Sequence, residues 1–343
     1  MHLLITGGCG FIGSHLVRHY LENSPDTTVT NLDSLTYAAH PDTVQLLQSL
    51  APKRYRFIHK DVTAPDLVSW ISKERFRAVI NVAAETHVDR SILDPMSFVR
   101  SNVEGVQNLL LAAREAGNIP FIQVSTDEVY GSLSPTDPAV IEGAALSPNS
   151  PYAASKAAAD LMIQSSYRTY RQDVAITRCT NNFGPFQYPE KLIPLLIANA
   201  IEDKPIPVYG DGQQIRDWIY VEDHCRGIDA VLKGGRYGEI YHISANQQWK
   251  NIDLIRLVLK KLKKSESLLT YVGDRPAHDR RYALNADKIR MELDWRPQVS
   301  FEEGVSKTVE WYLANESWWK KVRDKDYFQY YQQNYASKFE ATT

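Results

Sequence analysis

The chain has 343 residues, with 39 Lys and Arg against 41 Asp and Glu, so its formal net charge at pH 7 is −2. This balance excludes the concentrated basic field that nucleic-acid and membrane-surface proteins need, and we expect neither a nucleic-acid nor a membrane partner. Hydrophobic residues make up 43% of the chain and charged residues 23%, as in folded globular proteins. No apolar run approaches the roughly 18 residues of a membrane-spanning helix.

The three cysteines, Cys9, Cys179 and Cys225, lie far apart in the chain. Their odd number offers no disulfide framework, and they lack the clustered spacing of a zinc site. We therefore expect a protein of a reducing compartment, the cytoplasm, without a metal centre.

Short apolar runs predict strands, and longer segments between them predict helices. In chain order the strands are expected at residues 2–5, 28–32, 55–59, 78–82, 121–124 and 174–176, and the helices at 12–21, 97–116 and 151–170. Nearly all-apolar strands separated by helices are typical of a buried parallel sheet with right-handed crossovers. We therefore predict an α/β fold, with a Rossmann doubly wound parallel sheet and a smaller mixed α/β substrate domain.

After about residue 180 the elements become shorter, with helices expected around residues 252–264 and 301–315. We predict two interleaved domains. Residues 1–180 and about 208–236 form the dinucleotide-binding domain, and residues 181–207 and about 237–343 form the substrate domain.

A glycine-rich turn follows the first predicted strand. Gly7, Gly10 and Gly13 follow a GxxGxxG spacing, a variant of the dinucleotide-binding fingerprint. Asp33 ends the second predicted strand, where a carboxylate accepts hydrogen bonds from an adenosine ribose. Positions 34–36 hold no Arg for a 2′-phosphate, so we predict NAD rather than NADP. The alternative is a structural turn with a surface carboxylate.

The second candidate motif combines Thr126, Asp127 and Glu128, after a strand, with Tyr152 and Lys156 at the start of a helix. Tyr and Lys at i and i+4 share one helix face, and a nearby ammonium favours the phenolate. This pattern predicts oxidation of an alcohol by NAD, with tyrosine as the base. The alternatives are a packed tyrosine beside a solvated lysine, and two acids that cap a helix.

In this order the motifs resemble the nucleoside-diphosphate-hexose 4,6-dehydratases of the extended short-chain dehydrogenase/reductase family. The resemblance extends to about Asp294, and the TDE triplet at 126–128 discriminates dehydratases from related epimerases and decarboxylases. The motifs are TGGCGFIG (6–13), AAETHVDRS (83–91), STDEVYGS (125–132), SPYAASK (150–156), NNFGPFQYPEKLIP (181–194), VYGDGQQIRDWIYVEDH (208–224) and DRPAHDRRYA (274–283).

The resemblance implies a lyase that converts dTDP-glucose to dTDP-4-keto-6-deoxyglucose and water through transient hydride transfer to tightly bound NAD. Tyr152 would take the C4 hydroxyl proton, Lys156 would lower the tyrosine pKa and hold the nicotinamide ribose, and Thr126 would bind the C4 oxygen. Glu128 would remove the C5 proton as base. Asp127 would protonate the departing C6 hydroxyl group as acid. The two roles need neighbouring carboxyl groups whose pKa values differ.

The resemblance also implies the residues of both binding sites. For NAD they are Gly7, Gly10, Phe11, Ile12, Gly13, Asp33, Ser34, Leu35, Thr36, Asp61, Val62, Val82, Ala83, Ala84, Thr86, Ser101, Tyr152, Lys156 and Asn182. For the sugar nucleotide they are Thr86, Thr126, Asn181, Lys191, Leu192, Pro207, Val208, Tyr209, Arg216, Asn251, Asp274, Arg275 and His278. Arg216, Arg275 and His278 offer phosphate donors, and Tyr209 offers a flat face for a pyrimidine. Ala277 replaces a more frequent Gly near the base, so the choice between thymidine and uridine stays open.

Two further expectations concern neighbouring groups and partners. We expect His87 and Arg90 to form a salt-bridged loop and assign His87 no proton transfer. The helices at 97–116 and 151–170 carry apolar residues on more than one face, which favours a homodimer built on these helices. The residues in question are Val106, Leu109, Leu110, Leu111, Leu161 and Met162.

Three alternative functions remain open from the sequence. The first is a 4,6-dehydratase acting on UDP-glucose or another nucleoside-diphosphate hexose. The second is a sugar-nucleotide epimerase or C6 decarboxylase, which the two adjacent acids disfavour. The third is a nucleotide-sensing protein on an inactive enzyme fold, which the presence of Tyr152 and Lys156 disfavours.

Overall fold

The computed structural model describes residues 1–274 and 278–323. The predicted contact Arg275, the substituted position Ala277 and the end of the predicted substrate domain, residues 324–343, lie outside the described residues.

The strands are β1 (His2–Thr6), β2 (Thr28–Asp33), β3 (Tyr55–His59), β4 (Ala78–Asn81), β5 (Phe121–Thr126), β6 (Val174–Cys179), β7 (Asn181–Phe183), β8 (Ile206–Tyr209), β9 (Ile215–Tyr220), β10 (Ile240–Ile243), β11 (Gln248–Lys250) and β12 (Leu269–Val272). The α-helices are α1 (Phe11–Asn23), α2 (Pro41–Leu50), α3 (Leu67–Lys73), α4 (Val88–Leu93), α5 (Pro95–Val99), α6 (Gly105–Glu115), α7 (Pro151–Tyr170), α8 (Leu192–Ile201), α9 (Val221–Gly234), α10 (Asn251–Leu262), α11 (Asp287–Leu293), α12 (Phe301–Ala314) and α13 (Glu316–Val322). Short 3₁₀ turns cover Asp127–Tyr130 and Glu266–Leu268, and a π-helical turn covers Arg100–Glu104.

A seven-stranded sheet in the order β10-β6-β5-β4-β1-β2-β3 forms the centre of the molecule, and every pairing in it is parallel. Successive side chains point to opposite faces of a strand. Leu3 and Ile5 accordingly pack in the core that α1 and α9 cover, whereas Leu4 packs in the core that α6 and α7 cover. Both faces are buried, which confirms the predicted doubly wound parallel sheet.

Strand order reverses beside β1, which lies between β4 and β2. Doubly wound sheets bind ligands at such a reversal, outside the carboxyl ends of the strands. The ends of β1, β2, β4 and β5 therefore define where a cleft is expected.

A second hydrophobic core lies beside the large sheet. The sheet β11-β9-β7 and the pair β12-β8 surround it together with α8, α10 and α12. Representative buried side chains are Leu196 of α8, Trp218 of β9, Ile255 of α10 and Val305 of α12. This core is the smaller mixed α/β part that the sequence predicts.

The strand pairing departs from the predicted domain boundaries at two strands. The boundaries place β9 with the large sheet and β10 with the smaller part, but β9 pairs with β7 and β11, and β10 pairs with β6. Both strands are short and largely buried, so their residue pattern does not specify which sheet they join. The division into domains stays a prediction.

The helix predicted at 97–116 is a continuous segment formed by α5, the π-helical turn and α6. Val106, Leu109 and Leu110 are buried in the core of the single chain, so they do not form the surplus apolar surface that the dimer prediction assumed. In the described ranges 1–274 and 278–323, no helix combines the length and apolarity needed to span a membrane.

Candidate active site

The glycine turn between β1 and α1 leaves no room for a Cβ atom at Gly7 or at Gly13. Gly7 has a φ of +71°, and a Cβ atom there would lie 2.7 Å from the Cα atom of Ala83. A Cβ atom on Gly13 would lie 2.0 Å from the carbonyl oxygen of Gly7. At Gly10 the nearest atom to such a Cβ is 3.4 Å away, so the backbone is open to the cleft. Gly10 also precedes α1 without a side-chain cap, which leaves amide groups for an anion. The turn fits a dinucleotide.

Asp33 fixes the loop after β2 against this turn. Its Oδ2 accepts from the Cys9 amide at 2.8 Å and its Oδ1 accepts from the Leu35 amide at 2.8 Å. Burial raises the pKa of Asp33, and the two amide bonds lower it. Each carboxylate oxygen has a second lone pair, so Asp33 keeps acceptor capacity for ribose hydroxyl groups.

The three polar residues predicted at the end of β5 are held in a 3₁₀ turn. Thr126 caps this turn, because its Oγ1 accepts from the Glu128 amide at 3.2 Å and donates to Oδ1 of Asp127 at 3.2 Å. Asp127 is 4% exposed, and within the described ranges its Oδ2 has no hydrogen-bond partner. Burial, and then the charge of Glu128, raise the pKa of Asp127 well above its ordinary value. Asp127 therefore holds a proton under conditions where an exposed carboxyl group is ionised.

Tyr152 and Lys156 lie on the first turns of α7, which Ser150 caps by accepting from the Ala153 amide at 3.1 Å. Both side chains are buried, and Nζ of Lys156 donates to the Val124 carbonyl oxygen at 2.7 Å. Burial lowers the pKa of Lys156.

The pKa of Tyr152 depends on its buried surroundings, and the predicted lowering by Lys156 stays a prediction. Burial, and then the charge of Glu128, raise the pKa of Tyr152 well above its ordinary value, and a hydrogen bond with Thr126 lowers it. Nζ of Lys156 donates to the Val124 carbonyl oxygen on β5, and the negative charge of Glu128 acts on the Tyr152 phenol.

The π-helical turn supplies a link that the sequence did not reveal. Asn102, which is buried in this turn, donates to Ser155 Oγ at 2.8 Å and to the Glu85 carbonyl oxygen at 2.9 Å. Its Oδ1 accepts from the Glu85 amide at 2.9 Å. Because π-turns widen a helix locally, they are frequent at functional sites. This turn ties the loop after β4 to the helix that carries Tyr152.

The glycine turn, Asp33, the acid pair of Asp127 and Glu128, Tyr152 and Lys156 all line one cleft of about 290 Å³. The predicted cofactor residues that line it are Gly7, Gly10, Phe11, Ile12, Gly13, Asp33, Ser34, Thr36, Asp61, Val62, Val82, Ala83, Ala84, Thr86, Ser101, Tyr152, Lys156 and Asn182. Leu35, with a φ of +53°, is the predicted cofactor residue outside the lining. Asp127 and Glu128 line the cleft too, as do the predicted substrate contacts Thr86, Thr126, Asn181 and Lys191. Their individual binding roles stay predictions.

The other described substrate contacts lie outside this lining, in the smaller part of the molecule. They are Leu192, Pro207, Val208, Tyr209, Arg216, Asn251, Asp274 and His278. Asp274 contacts one of them, since His278 Nδ1 lies 2.5 Å from its Oδ1, and its Oδ2 accepts from Gln214 at 3.2 Å. Tyr209 and His278 have ring centroids 6.0 Å apart.

Arg216 links the cleft to the substrate contacts outside its lining, which we call the second cluster. Its guanidinium group donates to the Asp279 carbonyl oxygen at 2.9 Å and stacks 4.3 Å from the centre of the Tyr282 ring. Its charge also lowers the pKa of Asp127. Arg216, a substrate contact outside the lining, is therefore close enough to Asp127 in the cleft for its charge to act on that carboxyl group.

Glu85, whose backbone the resemblance places along the cofactor, lines the cleft, and several lining residues were not predicted, among them Cys179, Tyr188 and Glu190. The sequence feature that could have predicted Glu190 is its position next to Lys191 within the motif at residues 181–194. His87 and Arg90 lie 3.9 Å and 3.5 Å from Oε2 of Glu190, which is the salt-bridged arrangement expected for them. In the described part of the chain, no group of three or more His, Cys, Asp or Glu side chains could hold a metal ion.

Comparison with known proteins agrees with this arrangement. The GDP-mannose 4,6 dehydratase family model matches residues 4–308. The dTDP-glucose 4,6-dehydratase of Shigella flexneri is 44% identical over 98% of this chain and 100% of that protein. That of Streptomyces niveus is 46% identical over 95% of this chain and 97% of that protein.

A solved structure extends the likeness to the fold. The dTDP-glucose 4,6-dehydratase DesIV of Streptomyces venezuelae, crystallised with NAD and TYD bound, is 46% identical with a TM-score of 0.89. The match covers 94% of this chain and 100% of that chain. The resemblance found in the motifs is confirmed, and the chain belongs to the GDP-mannose 4,6 dehydratase family.

Proposed function

We propose that the protein is an NAD-dependent hydro-lyase that converts dTDP-glucose to dTDP-4-keto-6-deoxyglucose and water. The observation that carries this proposal is the pair of adjacent acids at the end of β5. Asp127 is buried with a raised pKa, and Glu128 lies beside it in the same cleft. Dehydration needs one carboxyl group that donates a proton and one that accepts a proton. The names of the relatives support dTDP-glucose as the substrate.

Bound NAD supplies the chemistry of taking a hydride from sugar C4 and returning it to C6. Burial raises the pKa of Tyr152, and the positive charges of Lys156 and of the nicotinamide ring of bound NAD would oppose this and favour the phenolate. As a phenolate, Tyr152 would accept the C4 hydroxyl proton, while Thr126 orients the C4 oxygen. The resulting ketone acidifies the C5 hydrogen, which Glu128 removes as a proton. Asp127 gives its proton to the C6 hydroxyl group, which leaves as water. When the hydride returns to C6, Glu128 gives the proton it removed back to C5. The C4 ketone is retained, so the proton on Tyr152 passes through solvent and restores the proton of Asp127, and no net NADH is formed.

The remaining side chains hold the ligands. The glycine turn and Asp33 receive the pyrophosphate and adenosine ribose of NAD, and Lys156 holds the nicotinamide ribose. In the second cluster, Arg216 binds a substrate phosphate and Tyr209 stacks on the base. This division is supported by the position of the glycine turn and of Lys156 in one cleft, and of Arg216 at its border.

We also propose a homodimer built on α7 and the segment of α4 and α5. Support comes from exposed apolar side chains on these helices, namely Ile92, Leu93, Met96, Val99, Leu161 and Met162. Exposed apolar side chains grouped in this way are typical of protein interfaces. A solution mass equal to one chain would contradict the dimer.

The cytoplasm is the proposed location. The three cysteines are buried thiols without a disulfide among them, which suits a reducing compartment.

The test is to incubate the purified protein with dTDP-glucose and with UDP-glucose separately and to measure the product masses. Loss of one water from dTDP-glucose, without net absorbance from NADH, is the expected result. Faster loss of water from UDP-glucose than from dTDP-glucose would overturn the assignment of the nucleotide base of the substrate. Formation of an epimer or release of carbon dioxide would overturn the reaction.

A further inference from the structure

Tyr37 lies on the loop after Asp33, and its hydroxyl group crosses to a distant part of the chain. The hydroxyl donates to Oε1 of Glu190 at 2.9 Å. Glu190 directly precedes Lys191, and both line the cleft just before α8. Among the described residues, Tyr37 lies outside the lining of the cleft. One hydrogen bond therefore joins the loop on the adenosine side to the segment on the sugar side.

Glu190 needs this bond because its carboxyl group is buried. Its side chain is 1% exposed, and burial raises its pKa, while the charges of Lys191 and Arg90 and the hydrogen bond from Tyr37 lower it. A buried carboxylate without such partners loses its charge or its position. The Tyr37 hydroxyl is therefore one of a small set of groups that hold Glu190 in place.

Arg90 extends the same contact. Its guanidinium carbon lies 3.7 Å from the centre of the Tyr37 ring, and its Nε lies 3.5 Å from Oε2 of Glu190. Tyr37 thus acts twice, as a donor through its hydroxyl group and as a flat support for Arg90 through its ring. The two actions are separable, because phenylalanine keeps the ring and lacks the hydroxyl group.

Lys191 contacts the loop after β4, whereas Glu190 contacts Tyr37 in the loop after β2. Nζ of Lys191 donates to the Thr86 carbonyl oxygen at 3.0 Å. The segment that contains Glu190 and Lys191 is therefore held by Tyr37 of the loop after β2 and by Thr86, His87 and Arg90, which follow β4. Loss of the Tyr37 hydrogen bond removes the contact with the loop after β2 and lets the segment shift where the substrate is proposed to bind.

We propose that Tyr37 is a positioning residue that acts through Glu190 to hold Lys191 in its sugar-binding position. This inference rests on the proposed function, since it takes the Lys191 side of the cleft as the sugar site. It assigns to the loop after Asp33 a task beyond cofactor binding: the same loop shapes the site for the substrate.

The first test is Tyr37→Phe in the full-length protein loaded with NAD. We expect KM for dTDP-glucose to rise roughly tenfold, the cost of one hydrogen bond to a charged group. We expect kcat to stay within about twofold, because Tyr152, Asp127 and Glu128 are untouched. The NAD content of the purified protein should equal that of the wild type.

Tyr241→Phe is the matched control. The Tyr241 hydroxyl also donates to a carboxylate, Oε2 of Glu292 at 3.0 Å, and a cation, Nζ of Lys288, lies 4.6 Å from its ring centre. Tyr241 is on β10, away from the cleft lining. We expect an unchanged KM in this variant. An equal rise in KM would show that loss of any buried hydroxyl suffices, and would overturn the inference.

A double-mutant cycle tests whether Tyr37 acts through Glu190. In a Glu190→Gln background, Tyr37→Phe should change KM by much less than in the wild type, because the shared contact is already altered. Equal changes in both backgrounds, an unchanged KM in the single variant or loss of NAD would each overturn the inference. Turnover of dTDP-glucose by the wild type tests the proposed function separately, since this inference depends on ratios between variants.

Discussion

The cofactor side and the nucleotide side of the site are built in different ways. On the cofactor side, Gly7, Asp33 and Val82 each lie at or just after the carboxyl end of a strand in one parallel sheet. The nucleotide side gathers Arg216 from β9 and Asp274 from the loop after β12, two strands of different small sheets. In a parallel sheet the carboxyl ends of all strands lie at one edge, so the residues of the cofactor side come together wherever the sheet forms. The positions of Arg216 and Asp274 depend instead on how the smaller core packs.

The largest effect is expected where the two sides meet, at the acid pair. Glu128→Gln and Asp127→Asn should each lower the rate of dehydration by roughly 10²–10⁴-fold, because each removes one proton-transfer group. NAD content should stay unchanged, since neither residue belongs to the glycine turn or the loop of Asp33. Product formation by mass spectrometry and NAD released on denaturation are the measurements. Full activity in either variant would remove the assigned acid and base roles.

A second experiment separates the two sides. Gly13→Ala places a Cβ atom 2.0 Å from the Gly7 carbonyl oxygen, so the turn has to shift. We expect a loss of about 1–3 kcal/mol in the free energy of unfolding, together with a lower NAD content. Denaturant unfolding and cofactor release measure the two effects.

The control for this variant is Gly143→Ala, where no heavy atom lies within 4 Å of the added Cβ. It should keep wild-type stability and NAD content. If Gly13→Ala also keeps both, the turn is less tightly packed than its geometry indicates, and the contrast between the two sides weakens.

The same contrast explains what the sequence could predict. The glycine spacing, the carboxylate at the end of β2 and the polar end of β5 are local patterns whose meeting place follows from strand order. Eighteen predicted cofactor residues share one cleft with the acid pair for that reason. The bond between Tyr37 and Glu190 joins residues 153 positions apart, so no local pattern contains it.

The sequence also could not predict the side-chain contacts and burial that set the pKa values in the site. The spacing of Tyr152 and Lys156 indicates a shared helix face, but not that Lys156 turns to the Val124 carbonyl oxygen. The π-helical turn at Asn102 has no distinctive residue pattern either, since its neighbours are helical on both sides. Side-chain direction and burial, which set pKa values, come from packing rather than from spacing.

The smallest predicted effect concerns the dependence of stability on pH, and it involves both sides of the site. The pKa of Asp127 is raised by burial and by Glu128 and Asp217, and lowered by Arg216 and the hydrogen bond from Thr126. Its folded-state pKa therefore exceeds its unfolded value. The folded state then binds more protons than the unfolded state above a pH of about 4, so this group destabilises the fold progressively as the pH rises towards its folded pKa.

Asp127→Asn removes that penalty while keeping an oxygen that accepts from Thr126. We expect the variant to be more stable than the wild type at neutral pH, with a smaller difference near pH 4.5. Asp137→Asn is the opposite control, because the bonds from Ser134 lower the pKa of that exposed carboxyl group. Its loss should leave the protein slightly less stable above the unfolded pKa. A gain for Asp127→Asn that is equal at both pH values would mean that relief of packing strain, rather than ionisation, separates variant from wild type.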